Sequence, residues 1–188
     1  GHDLLIDAFA RCGAAQGMDL VILGEGPLKG ALQARAASLG VGARVRFPGF
    51  QPNPWAWFSR AKLFILPSRW EGFGNVVAEA MASGVATMVT DCDFGPREQV
   101  AHGYSGWVVT HGDAGAIGAG LETLLPNSAL RAQLVAGGTA RARDFDVDLI
   151  ARTYGTYFRE HLGVLLGRPA VQSRRVIAVA TQPRESLV

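Results

Sequence analysis

The sequence has few cysteines, little net charge and no long apolar run. Cys12 and Cys92 lie far apart in unrelated contexts, which fits reduced thiols better than a disulfide framework. The formal net charge of +2 is not gathered into one block, so nucleic acid is a poor partner. No apolar stretch approaches the roughly 18–20 residues that cross a bilayer, and no signal-peptide pattern opens the chain. The four histidines show no metal-ligand spacing, so no metal site is predicted.

What the sequence does have is a series of short apolar runs separated by helical patterns. Five runs predict strands: 19–24, 44–47, 62–66, 86–90 and 105–109. Helices are predicted near the start of the chain, from about Asn75, and at 27–39, 113–125, 127–143 and 147–161, with a short one capped by Asn53 that carries Trp55, Trp57 and Phe58. Plain apolar strands alternating with helices predict a doubly wound parallel sheet, a Rossmann-like α/β fold.

Four loops follow the predicted strands, at 24–27, 49–51, 67–75 and 91–97. Ligands of open α/β sheets bind at the carboxyl ends of the strands, so these loops should converge on one crevice. The first of them, GEGP, is interpreted as a tight turn rather than half of a dinucleotide fingerprint, because no third glycine follows.

The loop and helix after the third strand carry the strongest chemical signal. Glu71 and Glu79 flank a Gly72-Phe73-Gly74 turn that leads into a helix. Backbone N–H groups at such a helix start attract an anion, whereas a carboxylate one turn further on attracts hydroxyls. Phosphate beside sugar hydroxyls suggests a nucleotide sugar. The competing interpretation is a pair of ordinary surface carboxylates, which are common at helix starts.

The run from Pro67 to Asp91 is PSRWEGFGNVVAEAMASGVATMVTD, and four further segments support the same comparison: LLIDAFA at 4–10, LGEGP at 23–27, VRFPGF at 45–50 and GPRE at 95–98. Together they resemble the retaining nucleotide-sugar glycosyltransferases of family 4, which have the two-domain GT-B architecture. The resemblance covers about residues 1–161 and is to the C-terminal, donor-binding half of these enzymes.

The resemblance implies a role for each site residue. Glu71, the candidate catalytic residue, would accept hydrogen bonds from the transferred sugar, and Glu79 from the ribose hydroxyls. Backbone donors of Gly72, Phe73, Gly74 and Asn75 would meet the sugar and diphosphate of a UDP- or GDP-linked donor, and Gly49, Phe50 and Gln51 would lie against the base. No cofactor, metal or protein nucleophile is implied, since the leaving phosphate is thought to help deprotonate the acceptor hydroxyl.

The resemblance also implies parts that this sequence does not contain. Family members carry an Arg and a Lys just before the position of Gly1, a first strand in the middle of the sheet, and an acceptor-binding N-terminal domain. The chain is therefore expected to be a fragment or one part of a split enzyme, inactive alone, with its partner domain in cis or in trans. The implied acceptor is a glycan or lipid-linked glycan of lipopolysaccharide or polysaccharide biosynthesis, at the cytoplasmic face of the membrane.

Two domains are predicted, a nucleotide-sugar-binding domain at 1–161 and a tail at 162–188. A strand-like run at 175–180 is predicted either to fill the vacant central position of the sheet or to belong to a disordered tail. Two other functions stay open: a non-catalytic nucleotide-sugar-binding subunit of a split enzyme, and another GT-B enzyme such as a phosphorylase or nucleotide-sugar epimerase.

Overall fold

The computed structural model describes residues 1–165, which divide into a first compact unit, Gly1–Asp146, and a second that begins at Val147. The first unit contains parallel strands, each within two residues of a predicted run at both ends. They are β1 (Leu20–Leu23), β2 (Val45–Gly49), β3 (Phe64–Leu66), β4 (Thr87–Asp91) and β5 (Trp107–Thr110). The predicted parallel α/β fold is confirmed.

Helices connect these strands and cover them. In the first unit they are α1 (His2–Arg11), α2 (Lys29–Ser38), α3 (Trp55–Phe58), α4 (Asn75–Ala82), α5 (Pro96–Gln99), α6 (Ala114–Leu124) and α7 (Ser128–Ala142). Short 3-10 turns occur at Gly13–Ala15, Gly42–Arg44 and Arg143–Phe145. The start of α4 at Asn75 agrees with the prediction. The α5 helix was not predicted, because four residues are too few to show a helical period.

The strands form two sheets rather than one continuous sheet. β1 pairs with β2, and β3, β4 and β5 pair in that order, all parallel. Within residues 1–165, no backbone pairing joins the two sheets. Leu23 of β1 and Phe64 of β3 pack into the same small apolar cluster around Phe58, so the break falls between β1 and β3. This is the position at which the resemblance predicts another strand.

One apolar core spans both sheets. Its fully buried members include Ile6 of α1, Met88 of β4 and Ile117 of α6. α1 packs against both α2 and α6. An ion pair reinforces the first of these contacts: Arg35 donates to both carboxylate oxygens of the buried Asp7, at 2.6 and 2.5 Å. The Arg35 guanidinium holds the pKa of Asp7 below its ordinary value.

The second unit contains α8 (Val147–Leu165), a helix with exposed aromatic side chains along it. Tyr157 stacks on His161 with ring centroids 4.0 Å apart. Across residues 1–165, no helix is both long enough and apolar enough to span a bilayer. α8 continues past the predicted end at 161 as far as Leu165, the last described residue, and the predicted strand at 175–180 lies outside the described residues.

Candidate functional site

The loop after β3 places Glu71 at the carboxyl end of the three-stranded sheet, where the sequence predicted it. The Glu71 carboxylate is half-buried and accepts a hydrogen bond from Ser68 Oγ at 2.7 Å. The Ser68 carbonyl in turn accepts from Thr90 Oγ1 of β4 at 2.5 Å. Thr90 is buried and lies on the neighbouring strand, so β4 holds the loop from which Glu71 projects. These hydrogen bonds hold the Glu71 carboxylate in one orientation before any ligand binds.

The Gly72–Gly74 turn leads directly into α4. Gly74 adopts a left-handed backbone (φ 76°), and no side chain caps the helix start. Backbone N–H groups of the first turn, beginning at Asn75, are thus not occupied by a cap. Glu79 lies one turn further along α4. Its half-buried carboxylate makes no hydrogen bond or ion pair with any residue in the described part of the chain. An uncapped helix start and an unpaired carboxylate suit an anion and hydroxyl groups respectively.

The carbonyl groups of the glycine turn are contacted by α5 and by Gly95, the residue before it. A Cβ atom built on Gly95 would lie 2.6 Å from the Gly72 carbonyl oxygen and 2.8 Å from that of Phe73, so only glycine allows this approach. Gln99 is fully buried, and its Nε2 donates to the carbonyl oxygens of Phe73 and Gly74. Its Oε1 is also buried and has no partner among the described residues. These contacts fix the carbonyl groups of the turn.

A second group of predicted residues lies at the carboxyl ends of β1 and β2. The Gly24 N–H donates to the Gly49 carbonyl at 2.9 Å, which brings the GEGP turn against the predicted base-binding loop. Phe50 is 71% exposed and free to meet a flat ligand. Gln51 is occupied instead: its amide donates to the Pro48 carbonyl at 3.1 Å and accepts from Trp57 Nε1 at 3.3 Å. The side chain of Gln51 therefore stabilises its own loop.

A cavity of about 450 Å³ lies beside this second group. It is lined by the GEGP turn, by the first residues of α1 and by Arg69 from the loop that carries Glu71. Arg69 makes a bidentate ion pair with Asp3 of α1 at 2.9 and 2.7 Å, which holds the pKa of Asp3 far below its ordinary value. The GEGP segment is a turn, as predicted, but it also lines a cavity. Arg69 thus reaches from the Glu71 loop to the cavity wall.

Cys92 lies behind the site, immediately after β4. Burial raises the pKa of its thiol, and the nearby Glu71 carboxylate raises it further. A buried, protonated thiol behaves as a small apolar side chain rather than as a nucleophile. The reactive groups of the site are therefore the two carboxylates and the backbone N–H groups.

These features define a parallel α/β protein in which an uncapped helix start lies between two carboxylates, in the loop after β3 and in α4. The family model for "Glycosyl transferases group 1" matches residues 1–141. The chain belongs to this family.

Curated relatives share this assignment. The chain is 36% identical over 151 residues to a Campylobacter jejuni transferase named for adding N-acetylgalactosamine to a diphospho-undecaprenol-linked glycan, and the match covers 80% of this chain and 41% of that protein. It is 33% identical over 138 residues to the lipopolysaccharide core glycosyltransferase LpsE of Rhizobium meliloti, covering 73% and 39%. The chain thus spans about two fifths of the length of these relatives.

Solved structures show the same fold. Anabaena HepE, solved with UDP and glucose, is 26% identical with a TM-score of 0.75, and the match covers 83% of this chain and 45% of that one. A galactosyltransferase of the lipopolysaccharide outer core, WaaB, is 25% identical with a TM-score of 0.69 over 87% of this chain and 44% of its own. The predicted GT-B glycosyltransferase fold is therefore confirmed.

Three residues that shape the site were missed at the level of sequence. Arg69 and Asp3 pair across 66 positions, and Gln99 reaches back 26 positions to Phe73. No local pattern indicates such contacts. The one available signal was Gln99 itself, a polar residue at the end of a short segment between two apolar runs, where a buried amide requires partners.

Proposed function

We propose that this chain is the donor-binding half of a retaining family 4 glycosyltransferase and that it binds a UDP- or GDP-linked sugar. The observation that carries the proposal is the arrangement around α4. An uncapped helix start lies between Glu71, oriented by Ser68, and Glu79, whose carboxylate has no partner in the described part of the chain. A diphosphate with a sugar at one end and a ribose at the other matches that order of groups.

The proposed contacts divide the donor between the two carboxylates. Glu71 accepts hydrogen bonds from the transferred sugar, and Glu79 accepts them from the ribose. The N–H groups from Gly72 to Asn75 meet the sugar and the diphosphate. Hydroxyl groups donate well to an ionised carboxylate, and such charge-assisted bonds are about twice as strong as neutral ones. The base lies against the loop of Gly49, Phe50 and Gln51, where Phe50 offers an exposed ring and Gln51 contributes through its backbone, because its side chain is already engaged.

Catalysis in this proposal depends on position and charge. The site holds the anomeric carbon in place, donates hydrogen bonds to the phosphate oxygens as negative charge develops on them, and uses the leaving phosphate as the base for the acceptor hydroxyl. It needs neither a metal nor a protein nucleophile. Arg69 does not supply the missing positive charge, because both carboxylate oxygens of Asp3 already hold it. The cations proposed to balance the diphosphate are the Arg and Lys that the family resemblance implies.

The whole protein would be a two-domain enzyme that transfers the sugar to a glycan or lipid-linked acceptor in lipopolysaccharide or polysaccharide biosynthesis. The acceptor-binding domain would be supplied in cis or in trans, at the cytoplasmic face of the membrane. Support comes from the named activities of the relatives, among them a transferase acting on an undecaprenol-linked glycan and a lipopolysaccharide core transferase. It also comes from the length of the match, since the chain covers about two fifths of each of them.

Calorimetric titration with UDP and with UDP-sugars on the completed two-domain protein tests the two roles. Glu79→Ala should lower the affinity for UDP itself by roughly ten- to a hundredfold, as expected for the loss of hydrogen bonds to a charged group. Glu71→Ala should leave UDP unchanged and remove mainly the extra affinity that the sugar provides. Glu160→Ala, an exposed glutamate of α8, is the matched control and should change neither. Equal losses on both ligands in both variants would contradict the assignment.

A further inference from the structure

Two large aromatic side chains project into solvent beside Glu71. Trp70, the residue before Glu71, is 79% exposed, and Phe94, in the loop after β4, is 74% exposed. Burial of such side chains is strongly favoured, because each carries a large apolar surface. Neither ring takes part in a ring–ring or cation–ring contact with any other side chain in residues 1–165. The fold therefore gives no packing reason for either ring.

Trp70 and Phe94 lie in two loops whose backbones meet. β3 and β4 are adjacent and parallel, so the loops that follow them leave the same edge of the sheet. The backbones of these loops touch where Gly95 meets the carbonyl of Gly72. Trp70 is two residues from one side of that contact, and Phe94 is next to the other side. We call Trp70 and Phe94 the aromatic rim.

The backbone of Phe94 adopts a strained conformation. Phe94 is a non-glycine residue with a left-handed backbone (φ 64°), and no other such residue occurs in the described part of the chain. A bulky side chain rarely adopts this conformation, and strain of this kind concentrates at binding sites. The close approach of Gly95 to the backbone of Gly72 and Phe73 holds the loop of Phe94 in place. The contact that maintains the strained backbone of Phe94 is therefore the same one that positions the glycine turn.

The charges around the rim indicate what kind of ligand it takes. Glu71 and Asp93 lie in these two loops. The nearby positive charges are already paired, Arg69 with Asp3 and Arg97 of α5 with Asp91 at the end of β4. Carboxylates beside isolated rings repel an anionic lipid surface and are too polar for a protein interface core. They fit a neutral molecule with hydroxyl groups on its edge and an apolar C–H face, which describes a pyranose ring.

We propose that the aromatic rim contributes to the subsite for the acceptor sugar alongside the acceptor-binding domain, with the rings of Trp70 and Phe94 packing against the C–H face of the pyranose that receives the transferred sugar. This inference rests on the proposed donor function of Glu71 and Glu79. The donor sugar lies on the inner side, against the glycine turn. Both residues of the rim are exposed in this chain, and we expect sequence changes at these two positions to alter the choice of acceptor.

The test combines saturation-transfer NMR and acceptor kinetics on the completed two-domain protein. The probes are methyl α-N-acetylgalactosaminide and methyl α-mannoside, each measured with and without UDP. Trp70→Ala and Phe94→Gly should each raise the dissociation constant of the bound glycoside about tenfold, the size expected for one aromatic contact. Acceptor KM should rise in parallel, while kcat and UDP affinity stay within about twofold. Trp70→Tyr, which keeps a ring, should recover most of the loss.

Two controls separate binding from folding. Tyr104→Ala removes a ring that is 61% exposed at the opposite edge of the sheet, before β5, and should change neither glycoside binding nor KM. Phe94→Gly relieves the left-handed strain, so its melting temperature should be unchanged or higher even as glycoside binding is lost. A purely structural role for Phe94 would lower both together.

The outcomes separate this inference from the proposed function. Glycoside binding that is unchanged in both rim variants, or absent from the wild type at 50 mM probe, overturns the rim. A Trp70→Ala variant that weakens UDP as much as the glycoside also overturns it, because the ring would then belong to the donor site. A wild type that binds the glycosides through the rim but does not bind UDP sustains the rim and refutes the donor assignment.

Discussion

Replacing Gln99 by methionine should leave the stability of the protein nearly unchanged but weaken the binding of the nucleotide-sugar donor. Gln99 is fully buried, with Nε2 tied to the carbonyls of Phe73 and Gly74 and with Oε1 unpaired within the described residues. Methionine has a similar length and no strong hydrogen-bond donor. The change therefore leaves the Phe73 carbonyl without a partner, which lowers the free energy of unfolding by about 1–3 kcal/mol. Gly74 keeps the bond from the Val77 N–H at 2.9 Å. Removal of the unpaired Oε1 returns a similar amount, about 1–3 kcal/mol.

The two terms nearly cancel, so the melting temperature of Gln99→Met should stay within about 4 °C of wild type. The glycine turn, however, loses its hydrogen bonds to Gln99 of α5. Its N–H groups then have to be ordered when the diphosphate binds, and UDP-sugar affinity should fall by about tenfold. Differential scanning fluorimetry measures the first quantity and calorimetry with UDP-glucose the second.

Gln99→Glu is the matched comparison, because it keeps the shape but presents a carboxylate oxygen to the carbonyl of Phe73. It should destabilise the protein clearly, since a buried acceptor then faces other acceptors. The reasoning is refuted if Gln99→Met melts more than about 10 °C below wild type, because the hydrogen bonds would then outweigh the orphaned oxygen. It is equally refuted if donor affinity does not change.

Two further predictions concern pairs described above. Ser68→Ala removes the hydroxyl that orients Glu71. Calorimetry should show that affinity for the UDP-sugar falls by about threefold to tenfold while affinity for UDP is unchanged. An equal loss of affinity for both ligands would contradict this prediction. Asp7 has a lowered pKa because Arg35 hydrogen-bonds its charged form, so its stabilisation is complete above the unfolded pKa of about 3.9 and is lost as pH falls through the lower folded pKa. Melting temperatures between pH 7 and 2 should therefore fall more steeply below pH 4 in wild type than in Asp7→Asn, and parallel curves would refute this.

The elements of the fold were largely predictable because each buried strand is a continuous apolar run with a turn after it. The β4 run, TMVTD, and the helix start at Asn75 are local features that adjacent residues determine. The division into two sheets was not readable from periodicity alone, because an apolar run does not say which strand lies beside it. The resemblance supplied that expectation, and the break between β1 and β3 agrees with it.

The site was predictable where one segment builds it and unpredictable where distant segments meet. Glu71 and the glycine turn stand out within nine residues of sequence, and the turn leads into α4 as expected. The supports of that turn come from elsewhere: Thr90 from the next strand, Gln99 from α5, and Asp3 from the start of the chain. Their partners lie between 22 and 66 positions away, and only the packed fold brings them together.

The hydrogen bond from Thr90 to the Ser68 carbonyl separates two tasks that adjacent residues perform. Glu71 is positioned by contacts to the backbone and to a serine on its own loop, and none of those contacts involves the ring of Trp70. The ring can therefore be exchanged for another side chain without moving the carboxylate beside it. Under the proposed roles, one substitution at Trp70 would change the acceptor and leave the donor contacts of Glu71 in place, so that different glycans could be built from the same nucleotide sugar.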